Sequence, residues 1–283
     1  MTSPDARRSL PQLRREWSNC SKCELGVWRA ANNGAFVFGE GATGGLMLIG
    51  EGPGRTEEEY GQPFVGESGQ ILRKVLGRLG INETTCYITN IVSCRSCEAV
   101  VDENTRLPML RKGKPVYKDS PPLPPHIEAC KDRLYEEIYL VDPVVIVALG
   151  GTAAKTLTGG HLSIIGERGK ERYIEIPGAT HRAILTDKKK VWAHKVKGKI
   201  VTPTEQNMVG YLMIPTLHPA YVSRQLEDRS RESPLKLLIQ DLRLAVKIYE
   251  RYMFEVHGSL PTGSSDTAED TIEQDVGEED GSY

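Results

Sequence analysis

Short apolar runs alternate with amphipathic segments along this chain. The runs are brief, rich in β-branched residues and bounded by glycine or proline, which is typical of strands buried on both faces of a parallel sheet. We therefore predict buried strands in four places: LMLIG (46–50), CYITNIV (86–92), VVIVALG (144–150) and YLMIPTL (211–217).

Helical periodicity occupies the segments around these runs. It is clear in SGQILRKVLGRLG (68–80), in GTAAKTL (151–157) and in a last segment at about 235–254. Strands that alternate with helices predict an α/β fold, with helices covering both faces of the sheet. Ligands of such sheets bind at the carboxyl ends of the strands, where GEGPGRTEEEYGQPFVGESGQ (50–70) and LHPAY (217–221) both fall.

Two segments interrupt the alternation. Residues 95–123 and 166–208 are interpreted as insertions, the second as a β-hairpin excursion that carries the basic stretch KKKVWAHKVKGK. A chain of 283 residues can bury one large core. We predict one domain over residues 1–258 with these two insertions, followed by an acidic disordered tail over residues 259–283.

Outside the acidic tail, the chain carries more basic than acidic residues. The chain has 36 Lys and Arg against 38 Asp and Glu, and eight of the acidic residues lie in TGSSDTAEDTIEQDVGEEDGSY at the end. Removing those eight leaves 36 cations against 30 anions, which is compatible with a polyanionic partner. The tail has few apolar residues, so we predict that it is disordered and offers a contact for replication or repair proteins.

The sequence contains neither a membrane span nor a secretory signal by the usual criteria. No apolar run reaches the roughly 20 residues that cross a bilayer, and MTSPDARRSLPQLRREW lacks an apolar signal core. We expect a cytoplasmic monomer that does not enter a membrane.

The cysteine pattern indicates a metal or cluster site. Cys20 and Cys23 form a CxxC pair, the spacing of half a zinc or iron–sulfur site, with an incidental or redox pair as the alternatives. CRSC (94–97) and Cys130 could supply the other ligands, and spacing alone does not choose among them. Cys86 begins an apolar strand and is interpreted as a small buried hydrophobe.

The glycine-rich segment at 50–70 fits no phosphate-binding motif. It lacks both a full G-x-G-x-x-G and a Gly-Lys-Ser/Thr ending, and Pro53 removes a backbone donor. A plain glycine-rich turn with solvated glutamates is one alternative. Phe64, however, stands in a polar loop, where an aromatic ring is a candidate platform for stacking a base.

Several motifs together resemble the family 4 uracil-DNA glycosylases. GEGPGRTEEEYGQPFVGESGQIL resembles the family's first motif, and TLHPAYVSR resembles its second, which contains His-Pro. LPQLRREWSNCSKCELG, YITNIVSCR and IEACKDRL resemble its cysteine segment, its strand with Asn and Cys, and its fourth cysteine. The likeness covers most of residues 10–250, in the family's order.

The resemblance implies a fold and a cofactor. The fold is a three-layer αβα sandwich with a four-stranded parallel sheet, of the uracil-DNA glycosylase type. The cofactor is a 4Fe–4S cluster bound by Cys20, Cys23, Cys94 and Cys130. Cys97 is additional to that set and could take the place of Cys94.

The resemblance also implies a reaction. Such an enzyme flips uracil out of single- or double-stranded DNA into a pocket, hydrolyses its N-glycosidic bond and leaves an abasic site. Phe64 would stack on the base, Asn90 would read its amide edge, and His218 would donate a hydrogen bond to uracil O2. Neither motif contains a lysine that could form a Schiff base, so we expect a monofunctional enzyme.

The matched acids are Glu51 and Glu57. A carboxylate near the cationic sugar can stabilise it and orient water, and the motif does not say which of the two does so. Glu57 could instead crowd the C5 position of the base and reject thymine. Gly52 lets the backbone approach the base, and it stands where related glycosylases with an aspartate in this motif carry that aspartate. Glu58 and Glu59 are expected to be solvated.

Residues beside the motifs are candidates for DNA contact. Tyr221, Val222 and Arg224 could wedge into the gap left by the flipped base, and Ser68 and Ser223 could hold phosphates. Two alternatives to uracil excision stay open at this point. One is a glycosylase for another deaminated or modified pyrimidine, and the other is a non-enzymatic iron–sulfur DNA-binding module.

Overall fold

A computed structural model describes the chain over residues 9–82, 84–160, 162–176, 195–196, 199–200, 209–227 and 233–257. The predicted tail and much of the second predicted insertion lie outside these residues. The helices are α1 (Leu10–Trp17), α2 (Glu24–Ala31), α3 (Arg55–Tyr60), α4 (Glu67–Arg78), α5 (Pro124–Val141), α6 (Gly151–Thr158), α7 (Ile164–Glu167), α8 (Pro219–Ser223) and α9 (Pro234–His257). The strands are β1 (Glu40–Gly41), β2 (Leu46–Gly50), β3 (Cys86–Asn90), β4 (Cys97–Ala99), β5 (Leu110–Arg111), β6 (Lys114–Pro115), β7 (Tyr117–Asp119), β8 (Val145–Leu149), β9 (Arg172–Ile176), β10 (Lys195–Val196), β11 (Lys199–Ile200) and β12 (Val209–Thr216).

The central sheet has the strand order β1-β3-β2-β8-β12-β9. Its four inner strands are parallel, which confirms the predicted four-stranded parallel sheet. β1 and β9 add antiparallel edges. Residues 172–176, which we expected within the second insertion, belong instead to the main sheet as β9, because Ile174 and Ile176 are buried beside β12.

Alternate side chains of the inner strands project to opposite faces of the sheet. Leu46 and Leu48 of β2 pack with α4, α8 and α9 in one core cluster. Met47 and Ile49 pack with α5 and α6 on the other face. The result is the predicted αβα sandwich. Among the described helices, none combines the length and apolar character that crossing a membrane requires.

The first predicted insertion contains short antiparallel pairs. β4 pairs with β7, and β5 pairs with β6. Within the second predicted insertion, β10 and β11 form a separate two-stranded hairpin.

The carboxyl ends of the four inner strands meet at one edge of the sheet. β2 leads there into α3, β8 into α6, and β12 into α8, while β3 leads into the first insertion. Both glycosylase-like motifs therefore reach the same edge, as the rule for ligand sites in parallel sheets predicts.

Candidate active site

Phe64 and Asn90 meet at the last residue of β2. Gly50 is the register partner of Asn90 in the pairing of β2 with β3. A Cβ added to Gly50 would stand 2.4 Å from Cζ of Phe64 and 2.5 Å from Oδ1 of Asn90. Only glycine leaves room for both side chains, so this position brings the aromatic ring and the amide together.

The backbone of Phe64 is held in an unusual conformation. Its φ of 55° lies in the left-handed region, which is costly for a residue other than glycine. Arg73 of α4 donates from Nε to the Phe64 carbonyl (3.0 Å) and from its guanidinium to the Pro63 carbonyl (3.0 Å), and it pairs with Glu40 (2.8 Å). These bonds fix the loop that presents the ring.

The amide oxygen of Asn90 is buried without a partner. Asn90 is 3% exposed, and Oδ1 finds no hydrogen-bond donor among the described residues. A buried polar atom left unpaired costs about 1–3 kcal/mol, so such atoms require an explanation. A ligand with a hydrogen-bond donor at this point would supply one.

A fully buried ion pair supports the end of β3. Arg133 of α5 donates to the backbone carbonyls of Asn90 (2.8 Å) and Ile91 (2.6 Å), and it pairs with Glu137 on the same helix. Glu137 also accepts from the Tyr87 hydroxyl (2.8 Å). Burial raises the pKa of Tyr87 above its usual range, and Glu137 raises it further. Buried charges are tolerated only when paired and hydrogen-bonded, so this network constrains the backbone that carries Asn90.

His218 caps α8 and faces Phe64. Its Nδ1 accepts from the backbone N–H of Ala220 (3.1 Å), so the neutral ring carries its proton on Nε2 and can donate it. The rings of His218 and Phe64 have centroids 6.4 Å apart and planes inclined by 35°. Burial lowers the pKa of His218, while Glu51 acts in the opposite direction. His218 is therefore a neutral hydrogen-bond donor at neutral pH.

A glycine lies beneath the His218 ring. Gly150 has a φ of 90°, and an added Cβ would stand 2.9 Å from Cβ of His218. The end of β8 thus lies close against the histidine, as the end of β2 lies close against Phe64.

Glu51 lies close to the histidine. It follows β2 directly and accepts a hydrogen bond from the Thr152 hydroxyl at the start of α6 through Oε2. Its other oxygen, Oε1, makes no hydrogen bond within the described part of the chain. The charges of Glu51 and of Glu57 both raise the pKa of His218, so both carboxylates lie in its neighbourhood.

Glu57 has a different environment. Its Oε1 accepts from the backbone N–H of Gly66 (2.8 Å), and its Oε2 accepts from that of Gly54 (3.1 Å). Both oxygens thus join the two ends of the loop that carries Phe64. Nearby, a Cβ at Gly52 would stand 2.9 Å from Cγ2 of Val92, so the loop backbone lies tightly against the segment that follows β3.

The candidate DNA contacts share one surface. The Ser223 hydroxyl at the end of α8 donates to Glu67 at the start of α4 (3.2 Å), beside Ser68. Tyr221 is 44% exposed, and Arg224 is also exposed. The prediction that Val222 enters the gap is wrong, because its side chain is fully buried in the core. Tyr221, Ser223 and Arg224 closely follow His218 in the sequence, and the bond between Ser223 and Glu67 brings the start of α4, with Ser68, next to them.

The expectation that Glu58 is solvated is wrong. Its carboxylate lies 3.7 Å from the buried guanidinium of Arg95, which also bonds to Asp119 of β7. Burial raises the pKa of Glu58, and Arg95 partly offsets that effect. This ion pair attaches α3 to the first insertion. Glu59 is exposed, as expected.

Four cysteines are close enough to influence one another. Burial raises the pKa of Cys94 to about 12, and the thiols of Cys130 and Cys23 contribute to the increase. The pKa of Cys130 is raised mainly by burial, with contributions from Cys23 and Cys20. The fold thus gathers the four predicted ligands between the N-terminal segment, the end of β3 and α5.

Cys97 belongs to different surroundings. It lies in β4 opposite Asp119, and its pKa is raised by burial and affected by Arg95 and Glu58, with no contribution from another thiol of the described residues. Within the part of the chain that the structure describes, no three His, Cys, Asp or Glu side chains converge as they would around one metal ion. Four cysteine thiols are a donor set that suits both iron–sulfur clusters and structural zinc.

Comparison with known families decides the assignment. The family model described as the Uracil DNA glycosylase superfamily matches residues 38–243, which include both motifs. The chain belongs to the uracil-DNA glycosylase superfamily. This confirms the resemblance drawn from the sequence, and the αβα sandwich is the fold of the superfamily.

Several relatives within the superfamily carry the name Type-4 uracil-DNA glycosylase. The one from Pyrobaculum aerophilum is 35% identical over 163 residues, which cover 57% of this chain and 69% of the relative. The one from Thermotoga maritima is 29% identical over 227 residues, covering 80% of this chain and 87% of the relative. The one from Sulfurisphaera tokodaii is 31% identical over 198 residues, covering 69% and 73%.

Sequence reasoning missed several residues that shape the site. Gly150 and Thr152 follow β8 at the carboxyl edge, so the rule that located the two motifs could have located them. Arg133 and Glu137 are spaced as an i, i+4 pair, a pattern that usually indicates a solvated helix surface. Arg73 carries no signal in the sequence, because its partners in the loop are backbone carbonyls.

Proposed function

We propose that this chain is a monofunctional uracil-DNA glycosylase, which hydrolyses the bond between uracil N1 and deoxyribose C1′ and leaves an abasic site. The observation that carries the proposal is the buried amide oxygen of Asn90, which has no hydrogen-bond donor among the described residues and lies beside the ring of Phe64. An aromatic surface next to an unsatisfied acceptor suits a flat base that presents an N–H donor.

Recognition of the base follows from these two side chains. A uracil stacked on Phe64 would offer its N3–H to Asn90 Oδ1 and its O4 to the Asn90 amide N–H. Cytosine has no hydrogen on N3 and carries an amino group in place of O4. The same amide would therefore meet a donor with a donor and an acceptor with an acceptor, which disfavours cytosine.

We assign bond cleavage to His218 and Glu51. As the C1′–N1 bond breaks, its electron pair moves onto the base, and the Nε2–H of His218 donates to O2, where negative charge develops. The sugar becomes an oxocarbenium-like cation, which the Glu51 carboxylate stabilises. Water then forms the new bond to C1′ and loses a proton, and the uracil anion is protonated on release.

The two acids receive separate roles. Both carboxylate oxygens of Glu57 accept hydrogen bonds from backbone N–H groups, so we assign Glu57 to holding the loop. Glu51 keeps Oε1 available, so we assign it to the sugar and the water. Gly52 allows this loop to pack against Val92.

DNA binding outside the pocket would use the surface of α4 and α8. We assign Ser68 and Ser223 to phosphate contacts, and Tyr221 and Arg224 to the gap in the stack. The exposure of Tyr221 and Arg224 supports this assignment.

The cofactor of the proposed enzyme is a 4Fe–4S cluster held by Cys20, Cys23, Cys94 and Cys130. The mutual influence of these four thiols and the separate surroundings of Cys97 support this ligand set. When bound, the cluster would cross-link the N-terminal helices to α5 and to the segment after β3. Cys94 lies four residues beyond Asn90, so this cross-link would also restrain the base-binding strand.

The test is release of the base from an oligonucleotide that contains one uracil, with a thymine oligonucleotide of the same sequence as the control. Alkali-sensitive cleavage at uracil alone is the expected result. Cleavage only at another deaminated or modified pyrimidine would overturn the choice of base. Salt-sensitive DNA binding by iron-loaded protein, without release of any base, would instead indicate a binding module.

A further inference from the structure

The first insertion forms a small β-sheet that we call the arm, residues 97–119. β4 and β7 pair at its base, and the pairing of β5 with β6 forms its tip. Met109 donates from its N–H to the Val100 carbonyl (2.7 Å) and accepts from the Val116 N–H (2.9 Å), so these pairs join into one three-stranded unit. The arm begins seven residues after Asn90 ends β3, at the carboxyl edge where the active site lies.

The base of the arm is fixed to the site and to the cysteine segment. Asp119 bonds to Arg95, and a Cβ at Gly54 in the first motif would stand 3.2 Å from its Oδ2. On the other side, Tyr117 packs edge-on against Trp28 of α2, with ring centroids 5.7 Å apart. The base of the arm is thus held on two sides.

The tip concentrates unpaired positive charge. β5 turns into β6 through Lys112 and Gly113, whose φ values of 53° and 75° make a tight hairpin. Arg111, Lys112 and Lys114 are all exposed there, and none forms an ion pair with an acidic residue in the described part of the chain. By contrast, Lys118 lower in the arm pairs with Glu98 (3.1 Å).

Large apolar side chains accompany these cations. Leu107 is 65% exposed and Leu110 is 64% exposed, although leucine is usually buried in a folded protein. Exposed leucines grouped in one place indicate a contact surface more strongly than scattered ones do. Leucine beside arginine and lysine is a combination found in proteins that press into the minor groove of DNA.

We propose that the tip of the arm binds the phosphate backbone of duplex DNA beside the flipped nucleotide. The inference rests on the proposed function, which makes DNA the polyanion at this edge of the sheet. Three cations within four residues, none of them neutralised by a described acidic residue, complement phosphates spaced along a strand. The contacts of Asp119 and Tyr117 hold the base of the arm at the edge of the sheet where the pocket lies.

The experiment compares two triple variants of the full chain. Arg111→Gln/Lys112→Gln/Lys114→Gln removes the charge of the tip. The control, Lys155→Gln/Lys247→Gln/Arg251→Gln, removes the same charge from exposed positions on α6 and α9. Equilibrium binding to a uracil-free duplex is measured across a range of salt concentrations, and uracil release is measured under single turnover at saturating DNA.

The tip variant should bind about tenfold or more weakly at low salt. The slope of log K against log salt should fall by about 1 for each phosphate that the variant no longer neutralises. Its release rate at saturating DNA should match that of the unmodified chain, because the pocket is intact. Equally weakened binding in the tip and control variants, or an unchanged slope in the tip variant, would overturn the proposal. Binding to uracil-free DNA does not depend on catalysis. The comparison of the two variants therefore tests the arm even if the chain releases no uracil.

Discussion

Gly50 and Asn90 end neighbouring parallel strands as register partners, and Oδ1 of Asn90 lies 2.5 Å from the position that a Cβ of Gly50 would take. The same position is 2.4 Å from the Phe64 ring. The absence of one side chain therefore allows an aromatic ring and a buried amide to share one end of the sheet.

Gly50→Ala should impair the site more than the fold. The added methyl must displace the Phe64 ring or the Asn90 amide, and a displacement of about 1 Å can cost about 100-fold in rate. Overpacking should also lower the free energy of unfolding by about 1–3 kcal/mol. Single-turnover uracil release and urea denaturation measure the two effects.

Gly77→Ala is the matched control for that change. Apart from its chain neighbours and the backbone of α4 itself, no atom in the described part of the chain lies within 4 Å of an added Cβ at Gly77. It should keep full activity and gain up to about 1 kcal/mol in stability, since alanine favours helix over glycine. Equal activity of the Gly50 and Gly77 variants would contradict the proposed crowding of the pocket.

Arg73→Ala should weaken base capture. It removes the hydrogen bonds to the carbonyls of Pro63 and Phe64. The backbone of Phe64 would then leave its left-handed conformation more easily, and the ring would move with it. We expect about a tenfold decrease in kcat/KM, which is about 1.4 kcal/mol of transition-state stabilisation. Glu40→Gln, which keeps the guanidinium, should have a much smaller effect. Equal decreases in the two variants would assign the effect to the ion pair instead of the loop.

The stability of the chain should depend on the protonation of His218. Burial places its folded-state pKa below the ordinary value of about 6.5. As pH falls below about 6.5, the unfolded chain binds a proton that the folded chain does not, so stability decreases on acidification in that window. Above about pH 6.5 both states are neutral, and this contribution disappears.

His218→Asn isolates this contribution. Asparagine can still accept the Ala220 N–H as a helix cap, but it does not titrate. Urea denaturation at about pH 7.5 and about pH 5.5 should show a larger decrease in stability for the unmodified chain than for the variant. If the two decreases are the same, His218 is not buried in its neutral form.

The cysteine assignment predicts different results for nearby thiols. Cys94→Ser should lose iron and the visible absorbance of the cluster, because Cys94 shares its surroundings with Cys130 and Cys23. Cys97→Ser should keep both properties, because no thiol of the described residues influences Cys97. The measurement is iron per chain after anaerobic preparation. Loss of iron in the Cys97 variant alone would reverse the assignment.

The sequence predicts the inner sheet well because each inner strand is buried on both faces. Leu46 and Met47 face opposite layers, so the whole run is apolar and easily recognised. The edge strand β1 has only two residues, and β9 mixes buried with exposed positions beside an unusual insertion, so neither stands out. The formation of such edge strands depends on tertiary contacts with neighbouring strands, which the local sequence pattern does not show.

The candidate site is predictable where a side chain itself does chemistry. Phe64, Asn90 and His218 lie within recognisable motifs. Arg133 and Arg73 act on backbone carbonyls that are distant in sequence, and a residue's own type does not reveal such partners. The capping bonds of Glu57 depend equally on a loop shape that the sequence leaves open.

Asn90→Leu tests the central claim most directly, that the buried amide reads the base. Leucine has the same branching and the same number of side-chain heavy atoms, and it removes a polar atom that has no partner among the described residues, so the free energy of unfolding should equal or exceed that of the unmodified chain. Uracil release should nevertheless fall by about 100-fold or more under single turnover, because neither hydrogen bond to the base can form. A stable Asn90→Leu protein that releases uracil at the unmodified rate would contradict the account.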